Sequence, residues 1–355
     1  MKISHMLKRE DFYKINQQTL DQYYHDPDAR CKLYIYPELN AIVTAHPSAE
    51  VKRYLYTEFQ VKTGLLKRLL IFIYTRLYIN SMGLLAAATC RINGAFRDDC
   101  LIYPCNKKIR IFDFGRGIVR VIPKKGFSDV DLRREIIFRT SRSNAEATFI
   151  PKILESNGNE YYESIIDGYP LARTRLSYCD YKDKAWKIWQ GYIASTVENV
   201  SASDYAKSLH NKYLQLEDIA SKQMKKINFA ALARVEKYFF HILQQSQSSI
   251  AIGLSHGDLQ PGNIWIEKRT HNIYIIDWEA YDIRSLWYDE CTLNNQIRME
   301  AKLREFVQHN DLLHHTVLYE DLIFRLTELN NMPYDYYGKQ FDAYVATISV
   351  GKQIV

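Results

Sequence analysis

Hydrophobic spacing changes period twice along this chain, and that change restricts the fold more than any other feature. From about residue 99 the segments CLIYP, IRIFDF and IVRVIPK are short apolar runs. They are separated by CNKK and by GRG at 115–117, the pattern of a three-stranded antiparallel meander with tight turns. Residues 129–143, DVDLRREIIFRTSRS, carry helical spacing opened by Asp129 or Asp131. PKILESNGNEYYESIIDGYPL returns to strand, with a turn at Asn157-Gly158-Asn159 and a break at Asp167-Gly168. Beyond it, DKAWKIWQGYIASTVENV, ASDYAKSLHNKYLQLEDI and FAALARVEKYFFHILQQ are helical. The class this implies is α+β: a small antiparallel-sheet lobe over residues 96–170 and a larger, mostly helical lobe over 171–355.

Residues 1–95 stand before the meander as an N-terminal extension to which no chemistry attaches. They mix helical patterns with a hairpin, KLYIYP then AIVTAH, across Glu38-Leu39-Asn40. Within them LLIFIYTRLYINSMGLLAAAT, 69–89, has the length of a membrane span, but Arg76, Asn80, Ser81 and Gly83 interrupt it, and charge at mid-span is costly. Arg76, Asn80 and Gly83 share one helical stripe, so the first expectation is a largely buried helix. The second is a helix lying on a membrane surface through residues 65–89, aided by Lys67 and Arg68.

Composition narrows the function classes. With 355 residues and 47% hydrophobic against 25% charged, the chain can bury a sizeable core and is expected to form two lobes. Its 47 basic and 41 acidic residues leave a net charge of +6, too small and too dispersed to indicate nucleic acid, though it suits an anionic ligand. Cys31, Cys90, Cys100, Cys105, Cys179 and Cys291 form no CxxC pair, which argues against a zinc site or a disulfide framework. MKISHMLKREDFYK has no apolar core of signal-peptide length, so a cytoplasmic setting is expected, peripheral to a membrane if residues 65–89 touch one.

Chemistry concentrates in SHGDLQPGNIWIE, 255–267, where Pro261 and Gly262 force a loop just before an apolar strand. IWIE and IYIID are two short strands joined by KRTHN, so their pairing can bring Asn263 and Asp277 together. These two oxygen ligands beside a third, the carboxylate of Asp258, suit a hard cation such as magnesium, and magnesium suits a nucleoside triphosphate.

His256-Gly257-Asp258-Leu259-Gln260-Pro261-Gly262-Asn263, followed by Ile276-Asp277-Trp278-Glu279, resembles the HxDxxxxN and Asp-led metal motifs of the aminoglycoside phosphotransferase and choline kinase family. That family has the two-lobed protein-kinase-like fold. The resemblance covers roughly residues 99–295 and implies ATP and Mg2+ as cofactors. It implies that Asp258 accepts or orients the proton of the substrate hydroxyl, that Asn263 and Asp277 hold magnesium, and that His256 buttresses the loop. Asp289 resembles the buried aspartate that anchors the catalytic-loop backbone.

In the sheet lobe the resemblance puts Arg120 of IVRVIPK on the nucleotide phosphates, held by Glu135 of the next helix, with Lys124 in reserve. There is no GxGxxG before the strands, only Cys105-Asn106-Lys107-Lys108, so Lys107 or Lys108 would meet phosphate from a short turn. Backbone groups from Ser164 to Ile166 would meet the adenine edge.

The interval from Asp277 to Asp289 is too short for the peptide platform of a protein kinase, so a small hydroxyl-bearing acceptor is expected: an amino alcohol, an aminoglycoside, a sugar or a glycan. The alternatives are a catalytically silent binding protein with the same fold, and a kinase of lipid-linked glycans at a membrane surface.

Overall fold

The computed structural model describes residues 10–26, 28–58, 65–141, 144, 146–174, 176–223 and 226–354. It divides into two compact units, Met1–Tyr178 with Trp265–Tyr274, and Cys179–Ile264 with Ile275–Val355.

The first unit is built on one eight-stranded sheet. Its strands are β1 (Arg30–Tyr36), β2 (Ala41–Val43), β3 (Ala88–Asn93), β4 (Cys100–Pro104), β5 (Lys108–Asp113), β6 (Ile118–Pro123), β7 (Ile153–Ser156) and β8 (Tyr161–Ser164), in the order β3-β1-β2-β4-β5-β6-β8-β7. The expected meander is β4, β5 and β6, antiparallel throughout, with Cys100 opposite Asp113 and Ile111 opposite Arg120. The stretch before residue 95 is not a separate extension. Its hairpin forms as β1 and β2, with Tyr36 opposite Ala41, and Ile42 of β2 pairs with Ile102 of β4, so the sheet is continuous.

Helices cover both faces of the sheet, because alternating side chains on each strand are apolar on both sides. On one face Phe112, Val119, Val121 and Tyr161 pack with α2 (Ala49–Glu58), α3 (Leu65–Ile79) and α4 (Val130–Thr140), through Val51, Leu55, Ile79, Leu132 and Ile136. On the other, Ile109, Ile111 and Ile122 pack with Leu20 of α1 (Glu10–Tyr23). A smaller sheet, in the order β13-β12-β9, joins β9 (Gly168–Pro170) to the hairpin of β12 (Ile264–Glu267) and β13 (Ile273–Ile275).

The second unit is mostly helical. Its core joins α6 (Ala202–Gln223), α7 (Phe229–Gln245), α10 (Leu312–Asn331) and α11 (Tyr334–Gly351), with Tyr205, Phe239, Leu322 and Phe341 buried together. Beside it lie α5 (Tyr178–Ile193), α8 (Leu286–Leu293), α9 (Glu300–Phe306) and a three-stranded sheet of β10 (Glu198–Ser201), β11 (Ser249–Ser255) and β14 (Asp282–Ser285), with β11 central. The α+β organisation expected from the hydrophobic period is therefore present, an antiparallel sheet first and helices after it.

The expectation that fails is the buried helix at 69–89. The helix ends at Ile79, where Asn80 Nδ2 donates to Arg76 O at 2.7 Å and competes with helix continuation. Gly83 already lies in a turn at φ +86. Arg76 and Asn80 are exposed, and the buried stripe is instead Thr75, Tyr78 and Ile79. Among the described residues no helix is long and apolar enough to cross a membrane.

Lys124, just past β6, is buried, and its Nζ donates to Cys105 O. Burial lowers its pKa from the usual 10.5 to about 8. Below that value a buried cation opposes folding, while between about 8 and 10.5 the folded state sheds a proton that the unfolded chain keeps, so stability rises with pH across that window. Lys124→Met is expected to stabilise the protein on the order of 2 kcal/mol at neutral pH, and the gain should shrink toward zero above that window. Chemical denaturation of both proteins across the window tests this, and a gain independent of pH would contradict it.

Candidate functional site

In the second unit the sequence around Gly257 is held by one carboxylate. Asp289, on α8 and buried, accepts from Ser255 Oγ at 3.0 Å and from the backbone N–H groups of His256 at 2.9 Å and Gly257 at 3.1 Å. Gly257 sits at φ +81, and a Cβ there would lie 2.1 Å from Ala280 O, so only glycine fits.

His256 is fully buried between rings, 4.6 Å from Trp278 and 6.3 Å from Trp189 between centroids. Burial lowers its pKa, which favours the neutral ring. Nδ1 accepts from Asp258 N at 3.3 Å, so the proton sits on Nε2, which donates to Ile276 O at 3.0 Å. Both nitrogens are spent on backbone, and the ring ties the loop to the strand end that leads into Asp277.

Asp258, partly exposed, is the most heavily bonded carboxylate of the loop. Oδ1 accepts from Arg298 Nε at 2.8 Å, and Oδ2 accepts from Gln260 Nε2 at 2.9 Å and Asn263 Nδ2 at 3.1 Å. Asn263 Nδ2 also donates to Asp258 O at 2.9 Å, which fixes the amide and leaves its Oδ1 as the group for a cation. Ile276 N donates to Asn263 O at 2.9 Å, so the hairpin does bring Asn263 and the residue before Asp277 together. Asp277 takes a left-handed conformation, φ 69 and ψ 55, uncommon for a side chain with a Cβ. Its backbone turns sharply there into Trp278–Ala280. An amide oxygen and a carboxylate on such a braced pair of segments are a donor set that fits a hard divalent cation.

Arg298 is the residue that sequence reasoning missed. It lies in a turn with no motif around it, forty positions beyond its partner Asp258, so no local signal could have shown it. Its NH2 donates to Gly257 O at 2.9 Å and Tyr288 Oη at 3.1 Å, and its NH1 to Asp321 Oδ1 at 2.6 Å. Asp321 is itself bound by Arg325 Nε at 2.8 Å. Burial alone would raise the Asp321 carboxyl, but Arg325 and Arg298 outweigh it and bring it down to about 2. The chain Asp258–Arg298–Asp321–Arg325 therefore clamps one end of the Asp258 carboxylate to the helical core.

In the first unit the expected Arg120–Glu135 pair does not form. Facing residues of an antiparallel pair share a side of the sheet. Phe112 opposite Val119 and Arg110 opposite Val121 lie on the α4 side, whereas Arg120 lies opposite Ile111, on the α1 side. Arg120 accordingly binds Glu160, with NH2 to Oε2 at 2.6 Å, and stacks over Tyr23 and Tyr162 at 5.4 and 5.9 Å.

Glu135 is met instead by Lys108, whose strand position has the parity of Phe112: Nζ to Oε2 is 2.9 Å. Arg139 NH1 at 3.1 Å and Tyr161 Oη at 3.1 Å donate to the other oxygen, Oε1. Arg139 continues to Glu163 at 2.6 Å, and the neighbouring Lys107 binds Asp131 at 2.7 Å. Lys107, Lys108, Glu135 and Arg139 are all buried. At the strand end, Ser164 is exposed and opposite Ile118, Ile165 N donates to Gly117 O at 3.0 Å, and Ile166 O accepts from Gly168 N at 2.9 Å.

No family model matches the chain, and no curated protein matches it. Among solved structures it is similar to a choline kinase from Streptococcus pneumoniae, with 14% identity, covering 72% of this chain and 92% of that one at a TM-score of 0.43. It is also similar to a thermostable variant of an aminoglycoside phosphotransferase solved with ADP and hygromycin B (13% identity, 72% of this chain, 93% of that one, TM-score 0.46). A third similarity is to a Plasmodium vivax ethanolamine kinase (14% identity, 87% of this chain, 97% of that one, TM-score 0.42).

Replacing Asp289 with alanine strands a hydroxyl and two backbone N–H groups in a buried place, and is expected to cost about 2–4 kcal/mol. Urea titration of Asp289→Ala against the native protein measures this, and a loss within experimental error would show that water reaches the loop.

Proposed function

We propose that this protein is a kinase of a small hydroxyl-bearing molecule, transferring the γ-phosphate of ATP in the presence of magnesium. The observation that carries the proposal is the braced loop on which Asp258, Asn263 and the residue preceding Asp277 are joined by direct hydrogen bonds. These are the residue types and spacings of the HxDxxxxN and Asp-led motifs, and each has the chemistry its role requires.

In this proposal Asp258 takes the proton of the acceptor hydroxyl as that oxygen forms its bond to the γ-phosphorus and the bond to the ADP oxygen breaks. Oδ1 accepts only the Arg298 bond and so retains a lone pair for the incoming hydroxyl. Arg298 and Asn263 together stop the carboxylate from rotating, which keeps it aligned for proton transfer. Asn263 and Asp277 would hold magnesium, which would neutralise charge on the nucleotide phosphates. Lys108, oriented by Glu135, is the phosphate-binding base in place of Arg120, with Lys107 beside it. His256 moves no proton, because both of its nitrogens are committed to the backbone.

The acceptor is small. Nearly all of the segment from Asp277 to Asp289 is used structurally: Trp278–Ala280 turns the chain, Asp282–Ser285 pairs with β11, and Leu286 begins α8. No segment is left there to cradle a peptide. Amino alcohols, aminoglycosides and sugars all meet this requirement.

Magnesium-dependent transfer from γ-labelled ATP to a pool of these acceptors is expected with the native protein and is expected to fall at least about 1,000-fold in Asp258→Asn. Arg298→Lys, which cannot donate along two edges, is expected to lower kcat about 10- to 100-fold with a smaller change in the KM for ATP. ATP binding without transfer to any acceptor would leave a nucleotide-binding protein in place of an enzyme, and labelling of generic protein but no small molecule would overturn the choice of acceptor.

A further inference from the structure

The outer face of α3 and the turn after it are apolar and uncovered. Thr75, Tyr78 and Ile79 point inward, with Tyr78 edge-on to Tyr36 of β1 at 4.9 Å. On the outer arc Leu69, Leu70, Phe72, Ile73, Tyr74 and Leu77 are exposed, Leu77 by 64%. Met82, Leu84 and Leu85 in the turn extend the same apolar character, Leu84 being 86% exposed. Isolated exposed apolar side chains are ordinary, but nine within one helix and its turn form a patch of the kind that marks an interaction site.

The patch is held rigidly. Gly83 N donates to Tyr36 Oη at 3.1 Å, and a Cβ on Gly83 would fall 2.0 Å from the Tyr34 ring, so the turn is pinned against β1. Asn80 Nδ2 bonds Tyr56 Oη at 3.2 Å and ties the helix end to α2. The apolar groups are thus presented without an ordering cost when something covers them.

Charge indicates what covers them. From Lys52 to Arg76 the sequence carries Lys52, Arg53, Lys62, Lys67, Arg68 and Arg76 against Glu58 alone, and no acidic residue occurs between Glu58 and Asp98. A chain with 41 acidic residues in 355 leaves this stretch free of them. A sequence that accompanies such apolar groups with cations and no anions complements an anionic lipid surface, where apolar side chains enter the acyl boundary and cations meet the headgroups. At 15 residues the helix is about 22 Å long, too short to cross a hydrocarbon layer of about 30 Å, so it lies in the interface plane. We propose that α3 and the 80–87 turn dock this protein on an anionic membrane surface. This holds independently of the kinase reading.

Co-sedimentation of the full chain with vesicles of equimolar phosphatidylglycerol and phosphatidylcholine, and with pure phosphatidylcholine, tests it. The native protein is expected to partition to the anionic vesicles, less so as salt is raised, and Leu70→Asp with Leu77→Asp is expected to weaken partitioning at least about tenfold. Both leucines are exposed, so the melting temperature should be retained. Ile137→Asp, an exposed apolar site on α4, is expected to leave partitioning unchanged. Native protein that stays in solution with anionic vesicles, or a double variant that partitions as well as native, overturns the proposal. So does a native dimer that the double variant dissociates without any vesicle binding, which would assign the face to a second copy of the chain.

Discussion

A buried carboxylate organises the loop around Gly257 in the second unit. Asp289 takes three hydrogen bonds from consecutive residues, Ser255 to Gly257, and so fixes the point in this loop where the backbone turns through a left-handed glycine. Everything that gives the loop its chemistry lies downstream of that anchor. His256 can bridge to Ile276 only because its own backbone is held, and Asp258 meets Arg298, Gln260 and Asn263 only because Gly257 has set its direction. A buried carboxylate is costly unless its lone pairs are filled, and here the donors that fill them are the loop it positions.

The first unit solves a similar problem with ion pairs. Lys108, Glu135, Arg139 and Glu163 alternate in sign along the side of the sheet that carries α4, with Tyr161 donating into the same group. Well-packed hydrophobic residues of similar volume often stabilise such a site as well or better, so these ion pairs are weak evidence for stability.

The two units also differ in how their surfaces are closed. In the second, the large aromatics Trp189, Trp278, Tyr288 and Tyr319 are wholly buried. In the first, α3 buries Thr75, Tyr78 and Ile79 and leaves Leu69, Leu70, Phe72, Ile73, Tyr74 and Leu77 in contact with solvent. Composition cannot separate these cases, because an exposed apolar helix and a buried one have the same residues.

Much of the molecule was legible from residue order alone. Period-2 and period-3.6 spacing located the meander, the helix after it and the helical half, because those periods follow directly from backbone geometry. The motif around Gly257 and the hairpin after it pointed to Asp258 meeting Asn263 and to Asn263 meeting Ile276, the residue before Asp277, since turn residues and strand length fix which positions can meet. Tertiary structure decided the pairings. Glu135 chose Lys108 over Arg120 because strand parity, together with which helix packs on which face, determines the side on which a base projects. Arg298 reached Asp258 across forty positions, a contact that only the packing of the turn before α9 against the loop could create. The outward turn of α3 was equally hidden, for hydrophobicity states that a helix can be buried, and only the shape of its neighbours states whether it is.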